Sequence, residues 1–117
     1  MREEIEKVLE AMREDYKRWS DNCMRSGFET PRYGEMIESY CNGLVVTEGS
    51  RYWKIVSTNG SGTSRSVAGF IAKSGDKKFC EGDMLKAAGW AAPARNFARG
   101  NVLDGRGVNE VRWTGIG

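Results

Sequence analysis

Arginine and glycine residues are interleaved in the C-terminal part of the chain, in a pattern that suits anion binding. Arg95, Arg99 and Arg106 stand among glycines at positions 89, 100, 105 and 107. A guanidinium group matches two phosphate oxygens with parallel N–H donors, and nearby glycines let backbone N–H groups approach an anion closely. The pattern predicts a binding surface for a small phosphate-bearing ligand. The spacing alone equally allows a solvated loop whose arginines pair with acidic residues of the first helix.

Aromatic side chains lie in or beside this basic stretch, where a purine base could stack against them. Phe79 follows Lys77 and Lys78 on a predicted strand, so we expect its ring to face solvent or a partner. Trp90 and Phe97 are candidates for the same role. On sequence alone, however, a place in the hydrophobic core is the better prediction for both.

The chain lacks the residues that most enzymes use for acid–base or nucleophilic catalysis at neutral pH. It contains no histidine, which removes the usual general base and the commonest metal ligand. Its three cysteines form no C-x-x-C pair, so they predict buried free thiols and neither a zinc site nor a disulfide framework. Glu81, Asp83 and Asp104 leave open a metal-assisted phosphodiesterase or lyase. The prediction is nevertheless a binding protein with no catalytic residues, no metal and no cofactor.

Length and charge narrow the class of partner. The chain has 117 residues, the size of one domain, and a formal net charge of only +2. Residues 85–117 hold five basic residues against two acidic ones, an excess that suits a small anion better than a long nucleic acid. A small nucleic-acid-binding or adaptor protein that uses this basic tail is the alternative. The acidic N-terminus and the lack of a long apolar run predict a soluble, intracellular protein with no membrane partner.

Hydrophobic periodicity predicts two helices in residues 1–43. Residues 3–24 carry apolar side chains every three or four positions, which places them on one face of a helix. A shorter helix is capped by Thr30 and ends at Asn42 and Gly43. Joined by a short loop, the two helices form a helical hairpin whose apolar faces need a surface to pack on.

Residues 44–117 supply that surface as a β-sheet with glycine- and arginine-rich loops. Strands are predicted at residues 44–47, 51–58, 64–73, 77–86 with a kink at Gly82, and 111–114, and a turn is predicted at residues 59–62. No helix separates the first four strands, so the sheet should be antiparallel. The predicted fold class is α+β in a single domain, residues 1–117, with an N-terminal helical hairpin packed on a C-terminal antiparallel β-sheet.

One stretch of the chain has a pattern specific enough to suggest a family. The run KKFCEGDMLKAAGWAAPARNFARGNVLDGRG, preceded by SVAGFIAK and followed by VRWTG, resembles the first-described Thoeris anti-defence family of phages. The likeness covers nearly the whole chain, but it is specific only in residues 65–114. The resemblance implies a phage protein that binds and sequesters a cyclic ADP-ribose isomer, made from NAD by a bacterial TIR enzyme, without cleaving it.

The same resemblance implies where the protein acts and how it assembles. Such proteins work in the cytoplasm of the infected bacterial host. They form a homo-oligomer, either a dimer or a hexamer built from dimers, with the ligand pockets at the interface between protomers. Some relatives also bind cyclic oligonucleotides at separate sites.

Site residues follow from the resemblance position by position. Phe79 corresponds to the aromatic residue that stacks on the purine, and Arg106 to the arginine that closes over the ligand from the other side. Arg25 corresponds to a basic residue that reaches phosphate from the partner protomer. The remaining residues of the expected ligand-binding set are Arg95, Asn96, Arg99 and Trp90.

Overall fold

A computed structural model describes residues 2–25, 38, 40–58 and 65–117, and of residues 21–25 it describes the backbone alone. The elements are α1 (Arg2–Arg25), β1 (Leu44–Glu48), β2 (Tyr52–Thr58), β3 (Arg65–Ala72), β4 (Asp83–Leu85), β5 (Gly100–Asn101) and a 3-10 turn (Val108–Glu110). The sheet is antiparallel throughout, in the order β1-β2-β3-β4-β5. The predicted α+β class, with an N-terminal helix on a C-terminal antiparallel sheet, is confirmed.

The predicted second helix and the predicted turn between β2 and β3 lie largely outside the described residues. Residues 38 and 40–42 are helical, and Gly43 forms the turn that leads into β1. In the part of the chain that the structure describes, no helix is both long and apolar enough to span a membrane.

Helix α1 packs through a continuous apolar stripe on one face of the sheet. The stripe residues are all at least nine-tenths buried and lie at helical spacing: Ile5, Val8, Leu9, Met12 and Tyr16. They share one core with Trp53, Ile55, Ile71 and Met84 from the strands. Glu3 and Glu4 occupy the first turn, where carboxylates complement the helix dipole.

The opposite face of the sheet, here called the loop face, carries a second and smaller core. Successive side chains of a strand point to opposite faces, so Tyr52, Phe70 and Leu85 point away from their neighbours Trp53, Ile71 and Met84. Phe70, Ala72, Leu85 and Phe79 form this second core. The α1 stripe belongs to the other core, and Ala87 and Ala98 from the C-terminal half pack on this one.

A β-bulge in β3 sets which side chains reach the loop face. Ile55 pairs with Gly69 and Val56 with Val67, so Ala68 is the extra residue. Ala68 belongs to the core under α1, and a Cβ built on Gly69 would meet Ile116 of the same core. Both bulge residues therefore face α1. The inserted residue shifts the alternation by one, and Val67 packs on the loop-face core.

The strand predicted at residues 77–86 forms only at Asp83–Leu85. The Asp76 carboxylate accepts hydrogen bonds from the backbone N–H groups of Lys78 (2.8 Å) and Phe79 (3.0 Å). Asp83 in turn accepts one from the N–H of Cys80 at 2.9 Å. Aspartate side chains thus take the donors that a strand ladder would use, and they fold residues 77–82 into turns. Cys80 lies exposed on these turns, so the prediction of a buried thiol is wrong for it.

The C-terminal residues form no regular strand but anchor the chain end to α1. The Trp113 N–H donates to the Asp15 carboxylate at 2.9 Å, and the Tyr40 hydroxyl donates to the Trp113 carbonyl at 2.6 Å. Tyr16 and Tyr40 stack, with ring centroids 4.2 Å apart. The predicted strand at residues 111–114 does not form: after the 3-10 turn at Val108–Glu110, Arg112 makes an isolated bridge with Gly115 across a turn.

Candidate functional site

Segment 86–99, rich in alanine and carrying Arg95 and Arg99, lies over the loop face and is held by backbone hydrogen bonds. The Ala94 N–H donates to the Lys86 carbonyl (2.7 Å), and the Arg99 N–H donates to the Met84 carbonyl (2.7 Å). Ala87 and Ala98 pack on the loop-face core. The segment therefore leaves β4, turns back over the sheet and returns beside β4, with its middle residues exposed.

Arg95 is held by a buried carboxylate. Its two terminal nitrogens donate to the two oxygens of Asp76, at 3.0 and 3.1 Å, and one of them also donates to the Tyr52 hydroxyl. The Asp76 side chain is only 2% exposed. Hydrogen bonds from Arg95, and then from the N–H groups of Lys78 and Phe79, hold the pKa of Asp76 well below its usual range.

Through these hydrogen bonds Arg95 holds three parts of the chain together, a structural role that the sequence pattern did not indicate. The pair joins the turn after β3 to the segment 86–99 and to Tyr52 of β2. Lys78 adds a further link, because its ammonium group donates to the Arg95 carbonyl. A phosphate could bind both terminal nitrogens of Arg95 only by displacing Asp76.

Phe79 is 6% exposed, so the expectation that its ring faces solvent or a partner is wrong for this chain. The Asp76 turn directs the ring inward onto Phe70 and Leu85. The Arg95 guanidinium lies 5.1 Å from the ring centroid. Phe79 is therefore part of the loop-face core, and its ring is not available to stack on a ligand.

Trp90 and Phe97 are exposed, and the interpretation of these two residues as core is wrong. Trp90 is 50% exposed and Phe97 is 57% exposed. Their flanking alanines and glycine provide too few apolar neighbours to pull either ring into the core, and Ala87 and Ala98 occupy the nearby core positions instead. Segment 86–99 therefore presents two large aromatic rings on its outer surface.

A cation lies against each exposed ring. The Lys54 ammonium nitrogen is 3.9 Å from the Trp90 ring centroid, and the Arg65 guanidinium carbon is 5.7 Å from it. The Arg99 guanidinium carbon is 3.8 Å from the Phe97 ring centroid. Contacts of this kind are attractive, because the face of an aromatic ring is electron-rich.

Asn96 and Arg99 form a local cluster with Phe97. The Arg99 guanidinium donates to the Asn96 side-chain oxygen (3.2 Å) and to the Phe97 carbonyl (2.7 Å). The same Asn96 oxygen accepts the Phe97 N–H at 3.0 Å. Every contact in this cluster lies within four residues, so the structure brings these predicted site residues together through local chain geometry.

Arg106 lies on a tight turn whose backbone packs against Arg99. Its Nε donates to an Asp104 oxygen at 2.8 Å, and both side chains are more than half exposed. The Asn101 N–H donates to the Arg106 carbonyl at 2.9 Å. A Cβ built on Gly107 would lie 2.5 Å from the Arg99 carbonyl oxygen. The main chains at 99 and 106 are therefore neighbours across this turn.

Among the described residues, the predicted pairing of Arg95, Arg99 and Arg106 with acidic residues of the first helix is not found. Arg95 and Arg106 pair with Asp76 and Asp104, in their own half of the chain. Arg112, which was not among the candidate residues, is the one that pairs with Asp15 of α1, at 3.6 Å. Arg25 is the last residue of α1, and its predicted ligand contact lies outside the described side chains.

Two of the three carboxylates that left hydrolysis open, Asp83 and Asp104, accept hydrogen bonds within turns. Asp83 is buried, and its two oxygens accept hydrogen bonds from Asn101 (2.8 Å) and from the Cys80 N–H (2.9 Å). The Arg106 N–H and then its side chain hold the pKa of Asp104 below its usual range. Among the described residues, no group of three or more His, Cys, Asp or Glu side chains is placed to hold a metal ion.

Lys54 and Arg65 lie on this surface and the Asp76 side chain is buried beneath it, but sequence reasoning did not single out these residues. For Arg65 a signal was present, since the glycine inside SVAGFIAK is typical of a bulge, and a bulge changes the face on which every preceding residue lies. For Asp76, the short Ser-Gly-Asp turn indicated a side-chain cap but not its partner.

Fold and surface together define a small α+β protein with an exposed face of cations and aromatic rings. The chain belongs to a family of unknown function, DUF7717, whose model matches residues 1–116. No curated protein and no solved structure matches it. The family description names no function, so the resemblance to the Thoeris anti-defence family stays a prediction.

Proposed function

We propose that this protein binds a small phosphate-bearing nucleotide and holds it without cleaving it. The single observation that supports this most strongly is the pair of exposed rings on one segment, Trp90 and Phe97, each with a cation within 4 Å of its centroid. The resemblance of residues 65–114 to the anti-defence family points to a cyclic ADP-ribose isomer as the ligand.

Complementary chemistry links this surface to a nucleotide. A nucleotide joins a flat base, which stacks on an aromatic ring, to phosphates, which bind ammonium and guanidinium groups. On the loop face, the Asp76 carboxylate is paired with Arg95. The positive charges of Lys54, Arg65 and Arg99 lie beside the exposed rings. The described surface therefore offers both kinds of contact side by side.

Binding without cleavage is supported by the lack of histidine and by the hydrogen bonds of Asp83 and Asp104. The sequence has no histidine, and the carboxylates of Asp83 and Asp104 hold backbone N–H groups in turns. A carboxylate that already accepts such hydrogen bonds is a weak general base. The proposed protein is therefore a sponge that lowers the concentration of a signal by mass action.

The wider proposal follows the resemblance. The protein would act in the cytoplasm of an infected bacterial host and block Thoeris immunity by sequestering the TIR-derived signal. It would assemble as a dimer, or as a hexamer built from dimers, with Arg25 reaching the ligand from the neighbouring protomer. Cyclic oligonucleotides are a further proposed ligand class.

The decisive experiment identifies the compound that the protein binds and shows whether that compound is released intact. Purified protein is mixed with the products that a TIR enzyme makes from NAD, separated from unbound ligand and heated, and the released compound is analysed by mass spectrometry. We expect an intact cyclic ADP-ribose isomer. Release of a cleaved product would show that the protein is an enzyme and not a sponge. If no compound is released, the proposal of ligand binding is wrong.

A parallel titration tests the alternative of a nucleic-acid-binding protein. Single-stranded DNA or RNA also stacks on aromatic rings flanked by cations, and its binding weakens steeply as salt rises. We expect flat binding curves for an oligonucleotide at low salt. Tight, salt-sensitive binding would favour the nucleic-acid-binding alternative.

A further inference from the structure

Three residues from three separate segments meet on the loop face. Lys54 comes from the middle of β2, Arg65 from the start of β3, and Trp90 from the exposed part of segment 86–99. Lys54 and Arg65 approach the same indole ring, at 3.9 and 5.7 Å from its centroid. We call these three residues the Trp90 cluster.

The bulge in β3 is what allows Arg65 to join the cluster. In an unbroken strand, Arg65 would lie on the opposite face from Phe70, because five positions separate them. The extra residue at Ala68 adds one step, so Arg65 lies on the same face as Phe70 and Lys54. A backbone irregularity that bends a strand at such a position often re-aims a side chain at a functional site.

Within the part of the chain that the structure describes, no acidic side chain pairs with the cations of the cluster, Lys54 and Arg65. Lys73, by contrast, is paired with Glu48 at 2.5 Å, on the side of the sheet where Trp53 lies. Two cations held near one ring repel each other unless an anion lies between them.

The Phe97 cluster is less suited to the same task. Its cation, Arg99, already donates to Asn96 and to the Phe97 carbonyl, and all of its contacts are local. The two cations of the Trp90 cluster lie on strands, and strands hold side chains in place better than a loop does. Half of the Trp90 surface remains exposed beside the Lys54 contact.

We propose that the Trp90 cluster is the subsite for the nucleoside phosphate part of the ligand. The base stacks on the exposed part of the Trp90 ring, and the phosphate attached to the nucleoside binds between Lys54 and Arg65. This inference rests on the proposed function and deepens it, because it moves the stacking role from Phe79, which is buried, to Trp90. It also adds two cations that the resemblance did not indicate.

Three variants test the subsite by calorimetric titration with the purified cyclic ADP-ribose isomer. Trp90→Ala should weaken binding roughly tenfold to a hundredfold, the range that loss of one base–aromatic contact gives, whereas Trp90→Phe should bind within about threefold of the native protein. Lys54→Gln/Arg65→Gln should weaken binding at least about tenfold and should make it less sensitive to salt.

Controls separate the subsite from fold and from net charge. Lys7→Gln/Lys17→Gln removes the same two charges from α1, on the other face of the sheet, and should bind as the native protein does. Thermal melting shows whether each variant is folded. Since Lys54→Gln/Arg65→Gln changes only side-chain charge on the surface, it decides the question even if Trp90→Ala proves unstable.

The outcomes distinguish this inference from the proposal beneath it. If native protein binds the isomer, and Trp90→Ala and Lys54→Gln/Arg65→Gln bind it equally well, the subsite is elsewhere and the sponge proposal stands. If native protein binds neither the isomer nor linear ADP-ribose, both proposals are wrong. Quenching of tryptophan fluorescence by the isomer, lost in Trp90→Phe, would place the base on this ring.

Discussion

The residues of the glycine- and arginine-rich stretch divide into those that build the surface and those that lie on it. Arg95 and Phe79 support the surface: the first is bonded to a buried carboxylate, and the second is packed in the loop-face core. Trp90 and Arg99 lie on it: Trp90 is exposed and contacts Lys54, and the half-buried Arg99 contacts the Phe97 ring. Residue type alone did not separate an arginine that binds a ligand from one that binds Asp76.

Removing the Phe79 ring should therefore destabilise the protein. Phe79→Ala should lower the free energy of unfolding by about 3 kcal/mol, as is typical for a buried phenylalanine, whereas Trp90→Ala should lower it by less than about 1 kcal/mol. Urea denaturation measures both. Equal stability of the two variants would contradict the burial of Phe79. A loss of ligand binding in Phe79→Ala alone would consequently say nothing about a direct contact.

Among the elements, the irregular ones decide how the surface is arranged. The bulge in β3 places Arg65 beside Trp90, and the turns after β3 bring Asp76 under Arg95. The turn at residues 101–107 packs its backbone directly on that of Arg99. The regular parts of β2 and β3 provide the platform, and the departures from regularity aim the side chains.

Two glycines of the last turn should respond differently to the same substitution. Gly105 and Gly107 both have left-handed backbone, with φ of 83° and 75°, which costs a non-glycine residue about 1 kcal/mol. A Cβ at Gly105 meets nothing within 4 Å, but one at Gly107 would lie 2.5 Å from the Arg99 carbonyl oxygen. Gly107→Ala should therefore lower the melting temperature clearly more than Gly105→Ala. Equal shifts would show that this close approach is absent.

The molecule as a whole is a sheet with a helix on one face and loops on the other. The face under α1 is sealed by a continuous apolar core, while the loop face has a small core of Phe70, Ala72, Phe79 and Leu85. Because this core is small, polar contacts should contribute a larger share of the stability of the loop face. The Asp76–Arg95 pair is one such contact, and it joins β2, the turn after β3 and segment 86–99.

This dependence predicts an acid sensitivity with a definite sign. The pKa of Asp76 is lowered in the folded protein, chiefly by Arg95, so the contribution of Asp76 to stability is complete above its unfolded pKa of about 4. The contribution is lost as the pH falls below about 4 towards the folded pKa, since the unfolded chain then binds more protons.

Melting temperatures of native protein and Asp76→Asn, measured from pH 7 to pH 2, test the assignment. We expect Asp76→Asn to be less stable at pH 7 and to lose less stability on acidification. Asp104→Asn is the matched control, because Asp104 also has a lowered pKa but lies exposed beside Arg106. It should keep most of the native acid sensitivity. If both variants followed the native curve, Asp76 would not be the group responsible.

Local pattern was sufficient for much of the fold. The apolar spacing of α1, the β-branched and aromatic runs of β1, β2 and β3, and the lack of an intervening helix led directly to a helix on an antiparallel sheet. The concentration of cations and aromatic residues in the C-terminal half was equally visible. These features depend on residues close together in the chain, so the sequence carries them without reference to any distant partner.

Only the tertiary structure decided which of those residues face outward and which meet. Phe79 turns inward, with its N–H capped by the Asp76 side chain, whereas Trp90 is exposed while Ala87 and Ala98 of its segment pack on the loop-face core. Arg65 reaches Trp90 because one inserted residue reverses the faces of β3. Each result depends on a contact between distant segments or on a single backbone step, and hydrophobic periodicity encodes neither. The arginine–glycine pattern thus indicated where the surface lies in the chain. The sheet and its bulge determined which residues form that surface.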